Sequence, residues 1–230
     1  MSKWLASVQS LEEACTLLPA LPDILDMKDP SKGALGALSL EAVSNIVSLI
    51  DKRCLTSATV GDLPMDASVI GEAMIAMAST GVDYVKIGLF PDDNVIDCIE
   101  KLEEVVKNLE KPVIAVLFAD KNPNLELISY LKESGFSGVM IDTAIKNGKG
   151  LRDHWDFEQI TAFVERVEQQ GMICGLAGAL KIEDITELKP LKADYLGFRS
   201  ALCDQQQRTS MLQLSLAQQV QNQIKHAGDV

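Results

Sequence analysis

The stretch "DILDMKDPSKGALGALSLEAVSNIVSLI" (23–50) decides how the whole chain is read. Residues 23–27 are a short apolar run interrupted by Asp26, Lys28 and Asp29 follow, and Pro30 closes it. A glycine-punctuated segment then leads into an amphipathic helix predicted at 40–50. This is a strand, a loop and a helix, and the pattern recurs along the chain. Strand runs at 3–8, 23–27, 53–60, 83–89, 112–118, 138–142, 172–177 and 194–198 precede predicted helices. The helices fall at about 11–18, 40–50, 68–79, 94–109, 125–133, 157–170, 182–188 and 206–225. Runs that are apolar on both faces imply a parallel sheet covered by helices. Eight strand–helix units in 230 residues point to a closed (β/α)8 barrel, one domain over 1–230 with 206–225 as its C-terminal helix. An open doubly wound sheet would place a glycine-rich GxGxxG turn after its first strand, and "LASVQSLEE" (5–13) has none.

Composition agrees. A chain of this length buries roughly 70% of its extended surface. The aromatic share of 5% argues against an all-β sandwich and for layers of Ala, Val, Ile and Leu. The net charge of −12, with no basic block longer than a pair, excludes nucleic acid and anionic membrane surfaces as expected partners. An acidic chain that nevertheless places lysines inside apolar segments is concentrating positive charge locally, which suits an anionic small molecule. Cys15, Cys54, Cys98, Cys174 and Cys203 are scattered and form no CxxC pair, as in a reduced cytoplasmic protein. With His154 and His226 as the whole histidine complement, no histidine-based zinc site is expected, and no cofactor is implied. "MSKWLASVQSLEEACTLL" (1–18) has no continuous apolar core of a signal peptide, and no long apolar span follows.

In barrels of this kind the active site lies at the carboxyl ends of the strands. Those ends carry Asp26 and Lys28, Thr59, Lys86, Asp120, and Asp142 with Lys146. Lys86 sits in "VDYVKIGLF" (82–90) between Val85 and Ile87, and alternation aims it into the barrel. A buried lysine is costly unless paired, and a lysine amine freed of its proton is the nucleophile that imine formation with a carbonyl requires. The competing reading lays its stem along the rim with its head in water. Lys28 is read as a site lysine or as a rim charge paired with Asp29. Asp26 shares its face by period two and would hold the ammonium or shuttle its proton. In "IDTAIKNGKGL" (141–151), Asp142 ends the strand, and Lys146 and Lys149 both stand as loop or site residues.

"CGLAGAL" (174–180) and "LGFRSAL" (196–202) place small residues between strand and helix, at the loops where such barrels hold phosphate. Gly175, Ala177, Gly178, Gly197 and Ser200 are therefore candidate phosphate ligands, with Arg199 as a charged donor and Asp120 as a further substrate-facing residue. The glycine loop 29–38, with Lys32, is a candidate for a second phosphate. His154, Trp4 and Trp155 read as packing residues, and the cysteines lack a base partner.

Taken together, "DILDMKDPSKGALGA", "DYVKIGL", "IDTAIKNGKGLRDH", "GLAGALKIEDI" and "GFRSALC" resemble, in order and at matching spacing over 4–205, one family. It is the (5-formylfuran-3-yl)methyl phosphate synthase family of methanofuran biosynthesis. The resemblance implies a (β/α)8 barrel that works through lysine, as class I aldolases do. The implied reaction condenses two molecules of glyceraldehyde 3-phosphate into a furan aldehyde phosphate with loss of phosphate and water. By motif it implies Lys28, Lys86 and Lys146 as active-site lysines, favouring Lys146 over Lys149, with Asp26 and Asp142 as acid/base groups. Lys28 is favoured for the imine. The expected partners are a phosphorylated triose and further copies of the chain. Two other readings share these residues: a different lysine-imine aldolase or isomerase of a sugar phosphate, and a non-catalytic phosphometabolite-binding protein.

Overall fold

Alternation along each strand sorts its side chains between the barrel lumen and the surrounding helices. In the computed structural model, which describes residues 2–226, β1 (Lys3–Val8) sends Trp4, Ala6 and Val8 to the helix side and Leu5 and Ser7 into the lumen. The same sorting holds for β2 (Ile24–Met27), β3 (Leu55–Thr59), β4 (Tyr84–Gly88), β5 (Val113–Phe118), β6 (Gly138–Asp142), β7 (Ile173–Leu176) and β8 (Tyr195–Phe198). All neighbours pair in parallel and in chain order, and β8 returns to β1 through Lys3–Tyr195 and Ala6–Phe198, so the sheet closes. The architecture is the expected (β/α)8 barrel.

The helices follow from local sequence. α1 (Leu11–Leu17) is capped by Ser10, α2 (Leu40–Ile50) by Ser39 and α3 (Ala67–Ala78) by Asp66, each accepting a first-turn N–H. α4 (Val95–Asn108) buries a stripe of Cys98, Ile99, Leu102 and Val106. α5 (Leu127–Glu133) and the single turn α6 (Leu151–His154) follow. α7 (Phe157–Gln169) opens with a reciprocal box between Asp156 and Gln159 and buries Ile160, Phe163, Val164 and Val167. α8 (Asp184–Leu188) is short. None of the helices among the described residues is long and apolar enough to cross a membrane.

One boundary departs from expectation. The last helix, α9, runs Leu214–His226 instead of starting at 206. Glutamine is an acceptable helix former, but 203–213 has other obligations. Gln205 and Gln206 are left-handed (φ 50° and 56°), Cys203 bridges Leu212 in antiparallel fashion, and the carbonyls of Arg208 and Ser210 are taken by the Arg199 guanidinium. The segment becomes a strap beside the barrel mouth. α9 then buries Ala217, Val220 and Ile224 against its own barrel.

The lumen is filled from below by Leu5, Ile24, Ile114, Met140 and Tyr195, leaving an apolar cavity of only about 30 Å³. Above this plug the lining turns polar. The loop after β2 is drawn tight over the top by backbone ties. Asp29 N–H donates to the Gly36 carbonyl (2.7 Å), the Asp62 carboxylate accepts from Ala34 and Leu35 N–H (2.8 and 2.7 Å), and Thr59 Oγ1 donates to the Gly36 carbonyl (3.1 Å). Its glycines are required by these approaches. A Cβ on Gly36 would stand 2.3 Å from the Asp29 carbonyl, and one on Gly33, at φ 117°, would stand 2.0 Å from the Asp62 carboxylate. Gly36→Ala is therefore expected to cost about 1–3 kcal/mol, measured as a lowered urea midpoint; a midpoint equal to that of the parent would contradict this packing.

Candidate active site

Asp26 is the lowest charged group of the mouth and has no solvent exposure. β2 turns it inward between two small residues of the neighbouring strands. Ser7 Oγ donates to one carboxylate oxygen (3.0 Å) and Ser57 Oγ to the other (2.6 Å). Lys86 Nζ completes the set at 3.0 Å, with a side chain only 4% exposed. Burial by itself would push the Asp26 carboxyl up. The charges of Lys86 and Lys28 and the hydrogen bonds from Ser57 and Lys86 overcome it and hold the group below the usual carboxylate range. Lys86 is thus luminal, as alternation predicts, and it is paired.

One step outward, Asp142 at the end of β6 is shared. Lys146 Nζ donates to Oδ1 at 2.9 Å, Lys28 Nζ lies 3.5 Å from Oδ2, and Thr143 N–H donates to Oδ1 at 2.7 Å. Burial pushes the Asp142 carboxyl up, and the two ammonium groups with the Thr143 N–H bring it far below the usual range. Lys146 also donates to Thr143 Oγ1 (3.3 Å). Its loop is exposed, but the side chain folds inward to 22% exposure. Burial pushes its amine down, the nearby charges of Lys28 and Arg208 add to this, and Asp142 opposes it. Lys28 does not pair with Asp29, which instead takes Lys32 (3.1 Å) and caps Ser31.

The five residues expected to do chemistry thus form two linked groups, Asp26–Lys86 below and Lys28–Asp142–Lys146 above, in a mouth cavity of about 1030 Å³. The expected phosphate ligands divide. Ala177, Gly178, Gly197 and Ser200 line this cavity. Gly178 (φ 101°) and Ala179 (φ 47°) make the turn after β7, and the Gly178 carbonyl accepts Leu151 N–H (2.8 Å), tying that loop to the one after β6.

Three candidates sit elsewhere. Gly175 lies a layer lower, against Met140 and the small inner cavity. Asp120 caps the loop after β6, accepting from Ala144 and Ile145 N–H at 2.7 Å each. Arg199 reaches the cavity wall, but its guanidinium is buried on Glu13 (2.5 and 3.0 Å) and on the carbonyls of Ser7, Arg208 and Ser210. Its guanidinium nitrogens are thus all engaged by protein groups.

Ser7, Ser57 and Glu13 were not singled out from the sequence. The serines carry a signal in retrospect, since each occupies a luminal register position of an otherwise apolar strand. Glu13 carries none: an acid in the first turn of a helix is ordinary there, and its burial depends on a partner 186 residues away. Burial pushes the Cys203 and Cys54 thiols up to about 11 each, which disfavours their thiolates.

The two buried carboxylates set the acid limit of the fold. With Asp142 held below an unfolded value near 3.9, the unfolded chain binds the extra proton between the two values, so stability rises with pH across that window. The contribution is complete above about pH 5 and is lost as pH falls through the folded value. Asp142→Asn should therefore flatten the fall in urea midpoint below about pH 4 relative to the parent; equal slopes would remove Asp142 from the acid response.

Residues 4–221 match the family model described as 4-HFC-P synthase. A protein of Methylorubrum extorquens, itself provisionally named a (5-formylfuran-3-yl)methyl phosphate synthase, is 39% identical over 208 residues, 90% of this chain and 85% of that one. The (5-formylfuran-3-yl)methyl phosphate synthase of Methanocaldococcus jannaschii is 34% identical over 209 residues, 86% of this chain and 89% of that one. Among solved structures, a phosphoribosyl anthranilate isomerase superposes with TM-score 0.68 over 98% of this chain and 99% of its own at 15% identity, a likeness of fold alone. The match across nearly the whole chain makes this protein a member of the (5-formylfuran-3-yl)methyl phosphate synthase family.

Proposed function

We propose that the chain condenses two molecules of glyceraldehyde 3-phosphate into (5-formylfuran-3-yl)methyl phosphate, a step toward methanofuran, through an imine on Lys28. One phosphate and two waters leave, which balances the atoms. The observation that carries this reading is the sharing of Asp142 by two lysines. One carboxylate cannot neutralise two ammonium groups, and the amine held down there is that of Lys146, a base beside Lys28 that can relieve the attacking amine of its proton.

Each residue then has a task. Lys28, facing the open cavity beside Asp142, adds to the first triose carbonyl, and water leaves to form the imine. The imine draws electrons from the adjacent carbon, so Lys146 as a base takes the proton there and Asp142 relays it. Phosphate departs from the neighbouring carbon, with Lys86 and Asp26 below to hold developing charge and return protons. The activated chain joins the second triose, and the remaining dehydration closes the furan. The turn after β7 and the Gly197–Ser200 segment are suited to one phosphate. A different lysine-imine aldolase of a sugar phosphate would use the same lysines, and product identity separates the two readings.

Borohydride added during incubation with glyceraldehyde 3-phosphate should leave a reduced adduct on Lys28, read by peptide mass, while a parallel unreduced sample contains the furan aldehyde phosphate. Lys28→Ala should lose the adduct and at least about 100-fold in rate. An adduct without furan would move the assignment to the general aldolase, and furan without any adduct would leave the lysines as electrostatic and proton-transfer groups.

A further inference from the structure

The mouth holds more positive charge than one triose phosphate needs. Asp26 neutralises Lys86, and Glu13 neutralises Arg199. Asp142 serves two lysines, and the Asp62 carboxylate is committed to two backbone N–H groups. Lys149, Lys181 and Arg208 also line the cavity. Of these, Arg208 is the one that the fold takes trouble to place.

The strap after β8 is exposed from Asp204 to Gln207 and contains two left-handed glutamines, which is unfavourable backbone for non-glycine residues. Yet it is fastened from beneath by a fully buried pair. Arg199 Nε donates to the carbonyl of Arg208 itself (2.7 Å), Arg199 Nη2 donates to that of Ser210 (3.0 Å), and Leu212 N–H donates to Glu13 (3.1 Å). Buried ion pairs contribute little net stability against apolar packing, so their use lies in fixing one geometry. What this geometry fixes is Arg208. Its guanidinium, half-buried, crosses to the loop after β2 and donates through Nη2 alone to the carbonyls of Pro30 and Gly33. Nη1 and Nε have no hydrogen-bond partner among the described residues, and the side chain faces the cavity shared with Lys28, Lys146 and Asp142. Its charge reaches Lys146, whose amine it helps hold down. An arginine anchored through one nitrogen with the other two free retains the forked donor set that matches a phosphate.

We propose that Arg208 is a ligand for the phosphate monoester of the second triose, held between the strap after β8 and the loop after β2. This rests on the two-triose reading above. A phosphate monoester carries close to two negative charges at neutral pH, so two of them call for a second cationic station.

The test compares the full chain with Arg208→Gln and Arg208→Lys. Arg208→Gln should raise KM for glyceraldehyde 3-phosphate about 10- to 100-fold with a smaller change in kcat, and inorganic phosphate should no longer raise its melting temperature as it does for the parent. Arg208→Lys, which keeps the charge but loses the fork, should fall between them. Reductive trapping of unphosphorylated glyceraldehyde, which has no phosphate for Arg208 to hold, should fall much less in Arg208→Gln than trapping of glyceraldehyde 3-phosphate. Parental KM and phosphate response in Arg208→Gln would overturn the assignment while leaving the synthase reading intact. An equal fall in the trapping of both aldehydes in that variant would overturn it in favour of a purely structural latch. If the parent made no furan yet the phosphate response still depended on Arg208, the two-triose reading would fall and the phosphate ligand would stand.

Discussion

A carboxylate with no access to water sits in the middle of the barrel, and much of the upper half is arranged around it. Asp26 could not stay ionised there unaided: burial opposes its charge, and the opposition is overcome by the charges of Lys86 and Lys28 and the hydrogen bonds from Ser57 and Lys86, with Ser7 donating to the other oxygen. Three strands are thereby committed to particular small or cationic residues at one level of the lumen. Removing one partner of such a pair costs about 3–5 kcal/mol because the other charge is left stranded. The plug of Leu5, Ile24, Ile114 and Met140 beneath and the open mouth above meet at this level. The pair marks the change from a core that only packs to a surface that reacts.

Above that level, acids hold loops as often as they serve chemistry. Asp62 fixes the loop after β2, Asp120 the loop after β6, and Glu13 the strap after β8, each by receiving backbone N–H groups or an arginine. Backbone donors in irregular loops need partners when shielded from water. A carboxylate with two oxygens satisfies two of them at once. The lysines can then stand in the cavity without the loops bearing them drifting, which preorganises the mouth.

How far the sequence reveals this depends on range. The barrel follows from local patterns: apolar runs, caps and eight repeats, and apart from the start of the last helix the strand and helix boundaries agree within a few residues. Lys86 is legible because Val85 and Ile87 define the opposite face. Asp26 and Lys28 follow by the same parity. Lys146 and Lys149 are indistinguishable by parity, being in a loop, and only the family motif separates them. Arg199 looked like an anion donor because its residue type and place fit that role. Its actual partner, Glu13, is set by closure of the barrel, which no local pattern encodes. Gly175 has the right face but the wrong layer, a two-residue ambiguity that strand ends always leave. Arg208 was hidden inside a stretch whose glutamines and leucines read as continuous helix, although tertiary bonds to its carbonyl override that preference.

The closing contacts of the mouth join residues made at opposite times. Glu13 meets Arg199 across 186 positions and Leu212 across 199, and Arg208 reaches Pro30 across 178. During synthesis the first two strands emerge long before the arginines that lock them, so Glu13 waits without its counter-charge and the loop bearing Lys28 without its tie. Contacts of such separation form late, because their loop entropy is paid before they return anything. The mouth lysines are therefore brought together only once the ring has shut, and an incomplete chain emerging from the ribosome lacks the fastened mouth that holds them.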